Sequence, residues 1–549
     1  MTQAQDNLAQ DNFFNKIEKL NAIGIALSSE KDLKKLMENI LVAAKSITNA
    51  DGGTLYSMTE DKTLKFEIIH TDSLQFSMGG TSDNPIPFAD LETHNEENRP
   101  NNHLIACCCA NNNTIINITD AYDEEDFDFS GTRAFDKKTG YRSKSFLTIP
   151  MQNHHQEIIG VLQLINKLDN DGNIINFNKE DQKLAESLTS QAAIALTNNK
   201  LIEELKMLFE SFIQLIATAI DEKSPYTGKH CRRVPILTMM LAEEADQSDK
   251  DYLKDFQLCK KEHYALEIAA WLHDCGKIVT PEYVVDKAQK LETIFDRIEL
   301  VDARFDNLRQ INENKHLKKQ IEHLEGKITE DQYQSFKLEQ QQQCQQLDSD
   351  QAFVRACNTG GEFMSADDQA RIQAIGQYTL TDDSNLLTEN EIKNLNITKG
   401  TLNNQEREII NNHMAMTIKM LEALPFPAHL QNVPEYAGGH HEQMNGKGYP
   451  KGLHREQMSI PARVMAIADI FEALTAKDRP YKDGKPLSVA LTILGKMKQE
   501  GHIDPDLFDL FIENKVYLRY AEEHVDPSQI DISEPSEIPG YPFNMPDQA

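Results

Sequence analysis

One run of helical periodicity in the middle of the chain constrains its fold most. From Asn178 onward, Leu184, Leu188, Gln191, Ala195, Asn198, Ile202, Leu205, Phe209, Phe212 and Ile216 follow one another four and three residues apart. This is heptad spacing over about five heptads, with two polar interruptions. It predicts a single long helix that divides the chain in two. It also predicts a homodimer through a parallel coiled coil, in which buried polar positions set the register.

The segment before that helix reads as an α+β unit. Leu33, Leu36, Ile40, Leu41, Ala44 and Ile47 mark an amphipathic helix over 31–48, which Asp51-Gly52-Gly53 breaks. Strand-like runs follow at 54–58, 64–70, 114–118, 146–151 and 158–165. The segment behind the helix is helical throughout. A second three/four pattern (Leu291, Ile294, Ile298, Val301, Phe305, Leu308) predicts a solvent-projecting helical hairpin over 283–346, with Gly326 as its turn. The expected division is an N-terminal helix or tail (1–29), a sensor-sized domain (30–178), a coiled-coil linker helix (179–210) and a helical domain (211–525) with an insert at about 285–400. The last part, 526–549, is acidic and proline-rich, and is expected to be disordered or loosely docked.

Composition excludes some functions. The net charge of −31 argues against a nucleic-acid-binding surface, which needs a basic face. No apolar stretch approaches the length needed to span a bilayer, and the N-terminus lacks the apolar core of a signal peptide, so a cytoplasmic protein with no membrane insertion is expected. The eight cysteines, three of them adjacent (Cys107, Cys108, Cys109), read as reduced thiols.

The second half holds five histidines and two aspartates suited to metal chemistry: His230, His273-Asp274, His413, His440-His441 and Asp469. Adjacent His-Asp is a compact two-ligand unit whose carboxylate can bridge two ions. The set suffices for two octahedral ions, which would generate a nucleophile from water at neutral pH. Its imidazole content favours iron or manganese over magnesium. A lone His230 or His413 would more often be an ordinary surface or core histidine, so the joint pattern carries the reading.

The surrounding text reads WLHDCGK at 271–277, HHEQMNGKGYP at 440–450 and ARVMAIADIFEALTAKDRPYK at 462–482. These segments, in this order, resemble the HD-GYP phosphodiesterases, a subgroup of the HD-domain metal hydrolases. PYTGKHCRRV at 225–234 looks like that family's opening helix. The resemblance covers roughly 205–520 apart from the insert. It implies an all-α domain that hydrolyses cyclic di-GMP to pGpG or GMP with two or three divalent ions, iron or manganese. It implies metal ligands at His230, His273, Asp274, His413, His440, His441 and Asp469, with Asp274 bridging. Asp274 and Lys277 would be catalytic, and Lys277 would also contact the scissile phosphate. Gly446, Gly448, Tyr449 and Pro450 would shape the substrate side, and Arg479 and Lys482 would hold phosphates. Lys447, Arg463 and Lys477 add to the expected local positive charge. His413 is assigned from its context, EREIINNHM, over His316 and His323 in the hairpin. A third ion, as some relatives hold, would need an upstream carboxylate, for which Asp221 and Glu222 lie near.

Residues 30–200 more weakly resemble a GAF domain, through ITNADGGTLYSM at 47–58 and IIGVLQLINK at 158–167. That resemblance implies a sensor for an unknown small ligand. The Cys107–Cys109 run would attract a chromophore or sense redox state, or form an ordinary packed loop. The expected fold class is multidomain: an α+β GAF-like sensor domain, a long coiled-coil linker helix, and an all-α HD-GYP domain with a helical-hairpin insert. The alternative to an enzyme is a non-catalytic cyclic-dinucleotide receptor that signals through the insert to a protein partner.

Overall fold

The computed structural model describes residues 18–223, 229–360, 363–381, 384–477 and 484–538. The chain divides into two compact units, Met1–Phe209 and Glu210–Ala549.

In the first unit, residues 18–29 form helix α1 and Leu33–Thr48 form α2. Asp32 starts α2 by accepting from the Lys34 and Lys35 amides, and Asn49 ends it in the left-handed conformation. There follow β1 (Ala50–Met58), β2 (Thr63–Thr71), β3 (Phe76–Gly79), β4 (Leu91–Glu92), α3 (Ile105–Asn112), β5 (Ile116–Ile118), α4 (Ser130–Thr139), β6 (Phe146–Gln152), β7 (Ile158–Leu168) and β8 (Ile174–Ile175). They build an antiparallel sheet in the order β3-β2-β1-β7-β6-β5, with β4 on β2 and β8 on β7.

Gly52 and Gly53 lie inside β1. A Cβ on Gly53 would stand 2.8 Å from the Leu41 side chain, so this glycine lets α2 pack tightly on the sheet.

Strand alternation sorts the core into two layers. Leu55, Leu162 and Leu164 pack with Leu36, Ile40, Leu41 and, from the long helix α5 (Lys179–Lys223), Leu184 and Leu188. Tyr56 and Val161 face α3, where Cys107 and Cys109 are buried. Burial pushes the Cys107 thiol up to about 12, so that thiol stays protonated and packs as an apolar group.

The heptad seam on α5 is only partly free. Leu184, Leu188 and Ala195 belong to the front unit's own core. Farther along, Leu201, Leu205, Leu208, Phe212 and Leu215 are exposed, again four and three apart. Of the expected seam positions there, Ile202, Leu205, Phe212 and Ile216 are exposed.

The second unit contains α6 (His230–Asp246), α7 (Lys260–Leu272), α8 (Glu282–Val285), α9 (Ile298–Leu324), α10 (Glu330–Asn358), α11 (Ala366–Gly376), the two-stranded β9 (Thr379–Thr381) and β10 (Ser384–Asn385), α12 (Glu389–Leu395), α13 (Asn404–Glu422), α14 (Val433–Gly438), α15 (Ile460–Thr475), α16 (Leu487–Gln499), α17 (Pro505–Glu513) and α18 (Val516–His524). The hairpin is formed by α9 and α10, with Gly326 at φ 73° in its turn. It is more than a projection. Val301, Phe305, Leu347 and Val354 from its base join Ile372, Leu386 and Leu395 in a separate hydrophobic core. The fully buried Lys287 ties this subdomain to α13 through both oxygens of Glu406 at 2.8 Å.

Of the acidic, proline-rich tail expected over 526–549, residues 539–549 lie outside the described residues. Gln529 is buried and donates to the Thr475 and Lys485 carbonyls.

Candidate metal centre

Five helical elements bring all seven predicted ligands together. His230 opens α6, His273-Asp274 ends α7, His413 lies within α13, His440-His441 follow α14, and Asp469 lies within α15. The donor atoms fall into two groups, Asp274 with His413, His440 and His441, and His230 with His273 and Asp469. Within each group they lie within 4.8 Å of one another. Asp274 turns to both. Its Oδ1 is 3.4 Å from His413 Nε2, and its Oδ2 is 3.3 Å from His273 Nε2 and 3.5 Å from His230 Nε2. Asp469 Oδ1 lies 3.1 Å from His230 Nε2 and 3.8 Å from His273 Nε2.

The tautomers follow from the backbone. His273, His413 and His440 each donate Nδ1–H to the carbonyl three residues earlier, at 2.5–2.8 Å. Each Nε2 then carries a lone pair, and all three Nε2 atoms are buried without a hydrogen-bond partner, as is Asp274 Oδ1. Orphaned buried acceptors aimed at one another are destabilising unless a cation joins them. The donor set therefore fits divalent ions, and the carbonyls supply the orientation that metal-binding histidines need.

Electrostatics agree. Burial, reinforced by neighbouring imidazoles, pushes His440 well below the usual histidine value; burial likewise takes His441 down to about 4. Both are neutral, as ligands must be. Burial would raise the Asp274 carboxyl, but Lys277 and the imidazoles outweigh it and hold it well below the usual range. Lys277 Nζ lies 2.5 Å from Asp274 Oδ2.

Close packing fixes these groups. A Cβ on Gly276 would stand 2.0 Å from the His413 carbonyl, and the Gly276 amide donates to Thr417 at 2.9 Å. Only glycine lets the His-Asp turn cross α13 so closely. Lys223, at the end of α5, donates to the carbonyls of Lys277, Ile278 and Thr280 at 2.5–3.1 Å.

In the GYP loop, Gly446 has φ 76°, and a Cβ on Gly448 would stand 2.3 Å from the Gln443 amide. Tyr449 stacks on His441 with ring centroids 4.9 Å apart, and Pro450 follows.

Two functional side chains escaped the sequence reading. Glu442 is buried and accepts from the Lys451 and Leu453 amides at 2.7 and 2.8 Å, closing the GYP loop behind His441. Glu472 is hydrogen-bonded to His230 Nδ1 and paired with Arg233. Their signal was present: Glu442 follows His441 directly, and Glu472 stands one helical turn after Asp469.

Some expected charges are engaged elsewhere. Arg463 pairs with Asp504 and Lys477 with Asp526, each at 2.6 Å, so neither supplies free positive charge. Both salt bridges satisfy local carboxylates of the helical packing. Asp221 accepts from the Cys231 amide at the start of α6, and neither Asp221 nor Glu222 joins either donor group. Arg479 and Lys482 lie outside the described residues.

Residues 387–507 match the HD domain family model, and residues 32–196 match the GAF domain model. The chain carries an HD domain and a GAF domain. The HD match includes His413, His440, His441 and Asp469; it begins in the last elements of the insert, which separates it from His273-Asp274. Among curated relatives, a 3′3′-cGAMP-specific phosphodiesterase of Vibrio cholerae is 40% identical over 15% of this chain and 19% of its own length. A cyclic di-GMP phosphodiesterase of Pseudomonas aeruginosa is 42% identical over 14% of this chain and 17% of its own length. One from Thermotoga maritima is 32% identical over 23% and 34%. The chain thus covers 17% to 34% of the length of these relatives. Among the described residues, no helix is long and apolar enough to cross a membrane.

Proposed function

We propose that this protein is a metal-dependent phosphodiesterase that opens a cyclic dinucleotide, cyclic di-GMP first, to pGpG or on to GMP. The observation that carries the reading is the pair of donor groups sharing Asp274, with buried, partnerless Nε2 atoms facing each other. Asp274, His413, His440 and His441 would hold one ion; His230, His273 and Asp469 would hold a second. Divalent ions, iron or manganese, supply Lewis acidity there, drawing charge from phosphoryl oxygens and acidifying water.

The chain's own groups do the rest. An ammonium has three donors. Asp274 engages one on Lys277, and the others serve a phosphoryl oxygen, offsetting charge that develops in the transition state. Gly446, Gly448, Tyr449 and Pro450 form the substrate side, and Arg479 and Lys482 take the phosphates. Asp274 orients the attacking water, and the 3′ oxygen leaves.

The GAF domain acts as a small-ligand sensor in a cytoplasmic homodimer, paired through the exposed stripe of α5. Lys223 gives α5 a direct hold on the turn that carries Lys277, which supports transmission along the helix.

The test is to purify the protein without oxygen, measure its metal, and incubate it separately with cyclic di-GMP and 3′3′-cGAMP, reading products by chromatography. Linear dinucleotide or GMP from cyclic di-GMP is the expected result. Faster loss of 3′3′-cGAMP moves the substrate within the class. Metal-loaded protein that cleaves neither contradicts the reading.

A further inference from the structure

The GAF domain contains a half-open cavity of about 400 Å3 on the sheet face covered by α3 and α4. This lies in the size range of sites for small organic ligands. Its walls are aromatic: Tyr56 and Phe66 have ring centroids 4.8 Å apart, and Phe129 and Phe146 5.1 Å apart. Such walls favour a flat ligand, because stacked and edge-to-face ring contacts add to the apolar area buried.

Among the polar side chains of the lining is Gln163, a buried residue of β7. Its amide donates once to Thr148 Oγ1, at 3.3 Å, and accepts once from the Tyr56 hydroxyl, at 3.4 Å. A carboxamide offers two N–H donors and two acceptor lone pairs. By that count one donor and one acceptor remain on this planar group. This is the complement of an N–H/C=O edge, and such bidentate amide pairing gives strong discrimination.

Charge separates ligand classes further. Among the described residues the lining contains no lysine, arginine or histidine, and Asp128 is its one carboxylate. Asp128 Oδ1 accepts from the Ser130 amide, at 2.8 Å, at the start of α4. The position where the helix end would favour an anion is thus already held by the chain's own carboxylate. A ligand phosphate there would meet this like charge in the lining, with Arg133 and His103 acting on Asp128 from outside it.

We propose that the GAF-domain cavity binds a neutral, flat bicyclic heterocycle through an amide-like N–H/C=O edge read by Gln163, and that it discriminates against anionic cyclic nucleotides. The proposal rests on the sensor reading of the front domain and names the chemistry of its ligand. Binding here is independent of turnover, so its failure leaves the phosphodiesterase reading standing.

The experiment titrates the full chain calorimetrically with hypoxanthine and lumazine as neutral bicyclic lactams, and with cyclic AMP and cyclic GMP as anions. The comparison on the unaltered protein needs no variant. Gln163→Leu keeps the apolar volume and removes the edge. The expected result is that a lactam binds, that the cyclic nucleotides do not compete for its site, and that Gln163→Leu weakens the lactam at least tenfold. Lactam binding unchanged in Gln163→Leu overturns the proposal. So does the absence of lactam binding, or displacement of the lactam by a cyclic nucleotide.

Discussion

Glu472 on α15 is hydrogen-bonded to Nδ1 of His230 on α6. Burial disfavours a charge on His230, but Glu472 and Asp274 outweigh it and hold the imidazole well above its ordinary value. The contact turns Nε2 toward Asp469 and Asp274. Removing such an outer partner typically costs ten- to a hundredfold in metal affinity. Glu472→Ala is therefore expected to weaken binding at the His230 group by about that factor, while the Asp274, His413, His440 and His441 group still loads. Manganese titration followed by elemental analysis checks this, and equal loss from both groups contradicts it.

The Lys287–Glu406 pair tests whether the insert is built into the HD domain. Lys287 is fully buried and its partner nearly so. Removing one member of a buried pair leaves an uncompensated charge and costs about 3–5 kcal/mol. Lys287→Met should lower thermal stability sharply. The double change Lys287→Met with Glu406→Gln should recover most of the loss. A single variant that melts like the parent would show that the insert is only loosely attached.

The histidines set an acid limit. In the metal-free protein His441 is neutral down to about pH 4, whereas an unfolded histidine protonates near 6.5. Below 6.5 the unfolded state binds protons that the folded state refuses, so stability falls as pH drops from about 6.5 to 4, by about 3 kcal/mol for this group. His440 acts in the same direction. His230, already charged in the fold, has no opposing effect in that window. Denaturant melts of chelator-treated protein between pH 7 and 4 should show this decline, and added manganese should move it to lower pH. A flat profile contradicts the burial of neutral imidazoles.

Much of this organisation was legible in the residues. Heptad periodicity located α5, strand alternation located β1, β2, β6 and β7, and Gly326 marked the hairpin turn. The seven clustered side chains were legible because HD, HH and their flanking text are local in sequence. The insert's own core was not, because Val301, Leu347, Ile372 and Leu395 meet only after folding, across segments whose separate patterns look like surface helices. The seam on α5 is only partly free, because periodicity does not tell which apolar positions, such as Leu184 and Leu188, a neighbouring domain core will take. Arg463 and Lys477 look like free charges until Asp504 and Asp526 fold against them.

The central claim is that Asp274 serves both donor groups at once. Metal content and cyclic di-GMP turnover of Asp274→Asn, measured beside the parent on protein with an unchanged circular dichroism spectrum, test it most directly. The account predicts loss of metal from both groups and of turnover together. A folded Asp274→Asn protein that keeps its full metal content and still produces pGpG would contradict it.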